Sequence, residues 1–137
     1  MNCIIVDDDI NCIKTLSGII KDYCPQLRIL GSANTITEAV KLINAENPQL
    51  VFLDVEIHEE LGFDLFNYFS SPTFEVVFTT AHEKYALKAI KSSCYDFLLK
   101  PVNIQEVVNV VSKLEKEKKQ EPEKNVNVLL DNLKSKD

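Results

Sequence analysis

The chain has 137 residues, 45% of them apolar and 26% charged, which bounds it to one soluble globular domain plus a short appendage. The formal net charge of −6 argues against nucleic-acid contact by this segment, because such affinity rests on Lys and Arg neutralising phosphates. No basic-then-apolar signal segment and no membrane-length apolar run is present, so a cytoplasmic location and no membrane contact are expected. Cys3, Cys12, Cys24 and Cys94 are scattered without metal-ligand spacing and read as small buried hydrophobes in a reducing compartment.

Short apolar runs alternate with helix-period segments along the chain. Cys3-Ile4-Ile5-Val6 predicts the first strand, which ends in Asp7-Asp8-Asp9. A helix follows over 10–23, with Ile13, Leu16, Ile19 and Ile20 as its apolar stripe and Pro25 as its stop. The second strand is expected over 27–33. The second helix is expected over 35–46, with a Thr35/Glu38 capping-box pattern, an apolar face of Ala39, Leu42 and Ile43, and Pro48 beyond it. Leu50-Val51-Phe52-Leu53 is a wholly apolar strand with Asp54 at its end, the pattern of a parallel strand buried on both faces. A loop and a short helix over about 63–69 lead to the fourth strand, Glu75–Thr80. A helix over 83–92 presents Ala86, Leu87 and Ile90 as its apolar face. The fifth strand, over 95–99, ends in Lys100-Pro101, and Asn103 caps the last helix with Glu106 as box partner.

Beyond Lys113 the composition changes. Residues 115–124 are almost all Glu, Lys and Gln, with Pro122, as in a solvated helix end and linker. Val126, Leu129, Leu130 and Leu133 then recur at helical spacing, an amphipathic helix with nothing of its own to pack on. The expected organisation is a domain over 1–119 and a linker with amphipathic helix over 120–137.

Strands alternating with helices imply right-handed βαβ units and a doubly wound, five-stranded parallel sheet covered on both faces. In that α/β class functional residues gather at the carboxyl ends of strands. Here those ends carry Asp7 and Asp8, Asp54, Thr80 and Lys100. Three converging carboxylates cannot all ionise cheaply, and a hard divalent cation such as Mg²⁺, which prefers oxygen ligands and accepts phosphate as another, relieves them. Asp8 or Asp9 could instead merely cap the first helix, which does not explain the coincidence with Asp54. Asp54 reads either as a strand-end turn former or as a carboxylate nucleophile toward phosphorus. Lys100 is a point-charge partner for phosphate and Thr80 a hydroxyl donor. His58 and His82 have no evident acid-base partner and read as solvated loop residues.

The runs from Cys3 to Asp9, Leu50 to Asp54, Val77 to Ala81 and Phe97 to Pro101 resemble the receiver domains of two-component response regulators, over about residues 1–118. The resemblance implies a flavodoxin-like fold with strand order 2-1-3-4-5, one of the common orders of the doubly wound class. It implies that Asp54 takes a phosphoryl group from the phosphohistidine of a sensor histidine kinase. Asp8 and Asp54 would bind Mg²⁺ directly with the Glu56 backbone carbonyl, and Asp7 through water. Thr80 and Lys100 would hold the phosphoryl oxygens, and Lys100-Pro101 would be a cis peptide. Phe97 matches an aromatic switch position, although strand core explains it equally well. The altered surface, a natural place for a homodimer, would be the fourth helix, fifth strand and fifth helix, with the C-terminal helix as another route. Such a domain is a phosphoacceptor and not a turnover enzyme.

The run Thr80-Ala81-His82-Glu83-Lys84-Tyr85-Ala86-Leu87-Lys88-Ala89 is similar to regulators whose output is a LytTR-type DNA-binding domain. The chain is therefore expected to be truncated before such an output, through which alone DNA would be met. A stand-alone or degenerate receiver acting as a binding module is the alternative. One departure from many relatives is His58-Glu59 in place of Pro-Gly after the phosphoacceptor, with Gly62 retained. Two rivals are disfavoured. An Asp-nucleophile phosphohydrolase would put its nucleophile on the first strand, and a flavin-binding protein would not have Asp7-Asp8-Asp9 where a phosphate loop is needed.

Overall fold

The structure is a computed structural model that describes the backbone of residues 1–135 and the side chains of residues 1–119. Among the described residues seven strands form: β1 (Asn2–Val6), β2 (Arg28–Ala33), β3 (Leu50–Asp54), β4 (Glu56–Ile57), β5 (Glu60–Leu61), β6 (Glu75–Thr80) and β7 (Asp96–Leu99). The helices are α1 (Ile10–Tyr23), α2 (Ile36–Glu46), α3 (Ala86–Lys91) and α4 (Ile104–Ser135), with 3₁₀ turns at Gly62–Tyr68 and Glu83–Tyr85. Five strands make one parallel sheet in the order β2-β1-β3-β6-β7. Set apart from the small β4–β5 hairpin, that order is the expected 2-1-3-4-5 of a flavodoxin-like fold.

The central strands explain why the sheet needs cover on both sides. Ile4, Val6, Val51, Leu53, Val76 and Phe78 pack on the layer holding α2 and the first 3₁₀ turn. Cys3, Ile5, Leu50, Phe52 and Val77 pack on α1 and α4. Strand periodicity of two sends neighbouring residues to opposite layers, so a continuous apolar run is what burial of both faces requires. Each of the fully buried Phe52, Phe78, Ile4 and Leu53 contributes about 1.5–3 kcal/mol by leaving water.

The helix starts follow their capping residues. Asp9 accepts from the Asn11 N–H at 2.9 Å and caps α1. Thr35 accepts from the Glu38 N–H at 3.0 Å, and Glu38 reaches back to the Asn34 N–H at 3.4 Å, one residue before the usual partner. Asn103 accepts from the N–H groups of Gln105 and Glu106 at 2.8 and 3.2 Å. Among the cysteines, Cys3 and Cys24 are buried and Cys12 and Cys94 half-buried, all as free thiols. Burial pushes the Cys3 thiol up to about 12 and Cys94 to about 11, so both stay neutral and inert.

Several features differ from the sequence expectation. The apolar face expected on the fourth helix is wrong: Leu87 and Ile90 are each 61% exposed, and Ala89 is the buried residue. Helix α3 has fewer than two turns and lies beside the edge strand β7, so only one small side chain reaches the core. Another is the β4–β5 hairpin, whose turn sets His58 at φ 56°, a left-handed conformation in which histidine is enriched.

The backbone of α4 continues through the segment read as a linker. The stripe Val126, Leu129, Leu130 and Leu133, and the contacts that would set a domain boundary near residue 119, lie outside the described side chains. Among the described residues no helix is long and apolar enough to cross a membrane.

Candidate functional site

Parallel register brings the polar strand ends to one place. Val6 pairs with Leu53, Asp54 with Thr79, and Thr80 with Leu99, so the residues that follow share one rim. Oxygens of Asp7, Asp8 and Asp54 lie within 4.8 Å of one another. Asp7 and Asp54 are buried, while Asp8 stands at the edge with 27% of its side chain exposed. Lys100 bridges the buried pair, its Nζ 2.9 Å from Asp7 Oδ2 and 3.2 Å from Asp54 Oδ2.

The electrostatics follow from burial. Desolvation, then the charge on Asp7, raises the Asp54 carboxyl to about 7, against the smaller opposing pull of Lys100. For Lys100, burial disfavours the charge, but the hydrogen bond to Asp7 and the attraction of Asp54 outweigh it and move its pKa up. The pocket thus holds one firmly charged cation and more carboxylate than that cation neutralises. Its donors are hard oxygens clustered at one point, a set that suits a small divalent cation.

Backbone groups fix the carboxylates. Asp7 Oδ1 accepts from the Asp9 N–H at 2.9 Å, and Asp54 Oδ1 from the Glu56 N–H at 3.3 Å. Asp8 Oδ2 accepts from the His58 N–H at 2.7 Å, tying β1's end to the hairpin. The buried Thr80 keeps its hydroxyl on its own loop: Oγ1 accepts from the His82 N–H at 3.1 Å and donates to the His82 carbonyl at 3.4 Å. Phe97, paired in register with Phe78, is half-buried against the core. Lys100-Pro101 is a cis peptide, as expected.

Both histidines are exposed, yet each meets a carboxylate. His58 Nδ1 lies 3.8 Å from Asp8 Oδ2, and His82 Nε2 lies 3.5 Å from Glu56 Oε1. The sequence held one sign of the second contact: Glu56 follows Asp54 by two residues, and His82 follows Thr80 by two. Equal offsets from neighbouring strand ends place both side chains on the same rim.

Fold and site together define a doubly wound α/β domain with an acidic, lysine-bridged pocket at the carboxyl ends of its strands. The family model described as "Response regulator receiver domain" matches residues 3–112, and the chain belongs to that family. It is 32% identical over 120 residues to the "Sensory transduction protein LytT" of Enterococcus faecalis, covering 85% of this chain and 49% of that protein. It is 34% identical over 122 residues to the "Sensory transduction protein LytR" of Streptococcus agalactiae, covering 85% of this chain and 48% of that protein. The chain spans about half the length of the curated relatives it matches. Among solved structures, the response regulatory domain of mrkE from Klebsiella pneumoniae superposes with a TM-score of 0.78 at 28% identity, covering 88% of this chain and 99% of that one.

Proposed function

We propose that this domain accepts a phosphoryl group on Asp54 from the phosphohistidine of a sensor histidine kinase. The observation that carries the reading is Lys100, held between the buried carboxylates of Asp7 and Asp54. A carboxylate oxygen of Asp54 attacks phosphorus as the P–N bond breaks, and that electron pair returns to the imidazole of the donor. Asp8 and Asp54 would hold Mg²⁺, with the Glu56 backbone carbonyl and, through water, Asp7. When bound, the ion neutralises charge on the transferring group and favours the ionised form of Asp54. Lys100 then turns from Asp54 to a phosphoryl oxygen. Thr80 releases the His82 backbone and donates to another, and the space it leaves lets Phe97 turn inward. The added charge supplies the differential interaction that a population shift needs.

The domain is a phosphoacceptor in the cytoplasm that transfers and loses its own phosphoryl group, and not a turnover enzyme. Likeness to proteins named LytT and LytR, and to about half their length, supports an output in the rest of a longer protein, a LytTR-type DNA-binding domain controlling transcription. Intact mass after incubation with acetyl phosphate and Mg²⁺ tests the central step. One phosphoryl group on the parent chain and none on Asp54→Asn is the expected result. An undiminished shift in Asp54→Asn would falsify the assignment.

A further inference from the structure

The sheet face that packs α1 and α4 is not completely filled. Between the start of α1 and the Lys100-Pro101-Val102 segment lies a cavity of about 150 Å³. Ile5, Leu16 and Val102 give it an apolar lining, with Ile5 and Leu16 buried in the core. Asp7 and Lys100 stand on its inner wall and satisfy each other at 2.9 Å. Cys12, half-buried, also lines it.

Thr79 adds a polar handle. It is 4% exposed, and strand alternation sends its side chain to this layer, opposite to Thr80. Its hydroxyl enters none of the side-chain hydrogen bonds formed among the described residues, whereas that of Thr80 enters two. No fully enclosed side-chain nitrogen or oxygen among the described residues lacks a partner. The Thr79 hydroxyl is therefore reached from the cavity and not sealed away.

We propose that this cavity is a binding site for a compact, neutral, ring-sized molecule carrying one hydroxyl group. Size sets the first limit, since an apolar cavity of about 150 Å³ holds a molecule like benzene. Charge sets the second. Asp7 is already paired with Lys100, and Lys100 with Asp54 as well, so neither is free to partner a charged ligand. The hydroxyl sets the third, because Thr79 offers one donor and one acceptor from the sheet, across from Asn11 and Thr15 of α1, which line the same cavity. The site lies on the side of the Asp7–Lys100 pair away from Asp54, which is not among its lining residues.

Phenol and toluene, titrated into the full chain while the methyl signals of Ile5, Leu16 and Val102 are followed by NMR, test the site. Both probes should shift those signals. Thr79→Val, which keeps the shape and removes the hydroxyl, should weaken phenol about three- to tenfold and leave toluene unchanged. Phenol should also slow modification of the Cys12 thiol by methyl methanethiosulfonate in the unaltered chain, with Cys94 as the unaffected control. Methyl signals and a Cys12 rate that ignore both probes overturn the site. Equal weakening of phenol and toluene by Thr79→Val overturns the hydroxyl recognition.

Discussion

Gly62 lies so close to Asp54 that a Cβ on it would collide with the Asp54 backbone carbonyl oxygen. Its N–H also donates to the Val55 carbonyl at 2.6 Å, which closes the loop carrying the candidate phosphoacceptor. The φ of Gly62 is not in the left-handed region, so space and not backbone freedom demands glycine here. Gly62→Ala must push the loop off the end of β3. We expect a loss of about 1–3 kcal/mol in urea unfolding, the range for overpacking, together with slower phosphorylation by acetyl phosphate. Parental stability and rate in this variant would show that the loop gives way without consequence.

The raised Asp54 carboxyl makes stability depend on pH. Its ordinary value is 3.8 and its folded value about 7, so between these the folded chain holds a proton that the unfolded chain has lost. Stability from this group is present at low pH and falls as pH rises through that window. Asp54→Asn removes the titration. Without metal, the variant should gain on the parent from about pH 4 upward and level off above about pH 7, by on the order of 1–3 kcal/mol. Excess Mg²⁺ should shrink the gap. Denaturant unfolding at several pH values checks this, and a gap independent of pH refutes the electrostatic cause.

Asp8 contributes an oxygen to the carboxylate cluster from the solvent side. Asp8→Asn should lower Mg²⁺ affinity by at least about tenfold, the loss typical of removing even an outer partner of a metal site. Calorimetric titration of both proteins decides it. Unchanged affinity takes Asp8 out of the ligand set and leaves it as an anchor for the His58 N–H.

Most of the architecture was legible because one pattern served two purposes. The run Leu50-Val51-Phe52-Leu53 announces burial on both faces, and double burial is what a central parallel strand requires. The polar residue at the end of each such run then falls at a carboxyl end, which is where Asp7, Asp54, Thr80 and Lys100 stand. The failures are where local pattern and tertiary placement part. Leu87 and Ile90 have helical spacing, but a short helix at a sheet edge lacks the depth to bury them. The β4–β5 hairpin rests on His58 adopting a positive φ, for which His58-Glu59 carries none of the usual glycine signal. The contacts of His58 and His82 with carboxylates cross between loops that are far apart in sequence.

Leu87 and Ile90 lead to the last prediction. They sit three apart on α3, on one side of the helix, and each is 61% exposed, with Ile104 at the start of α4 exposed at 43%. Single exposed apolar residues are ordinary on a protein surface, but two that share one side of a short helix suit a face that is covered in another state. In the proposed switch, movement of Thr80 and Phe97 would reshape this face and let it pair with the same face of a second chain. Leu87→Glu with Ile90→Glu should leave the monomer's stability within about 0.5 kcal/mol per substitution, because neither side chain is buried. With beryllofluoride and Mg²⁺ as the phosphoryl mimic, the parent should sediment as a concentration-dependent dimer and the double variant as a monomer. Introduced carboxylates facing their own copies across a two-fold axis would repel, so the loss should be deepest at low salt. A double variant that associates as the parent does would move the dimer contact off this face, leaving the C-terminal segment as its place.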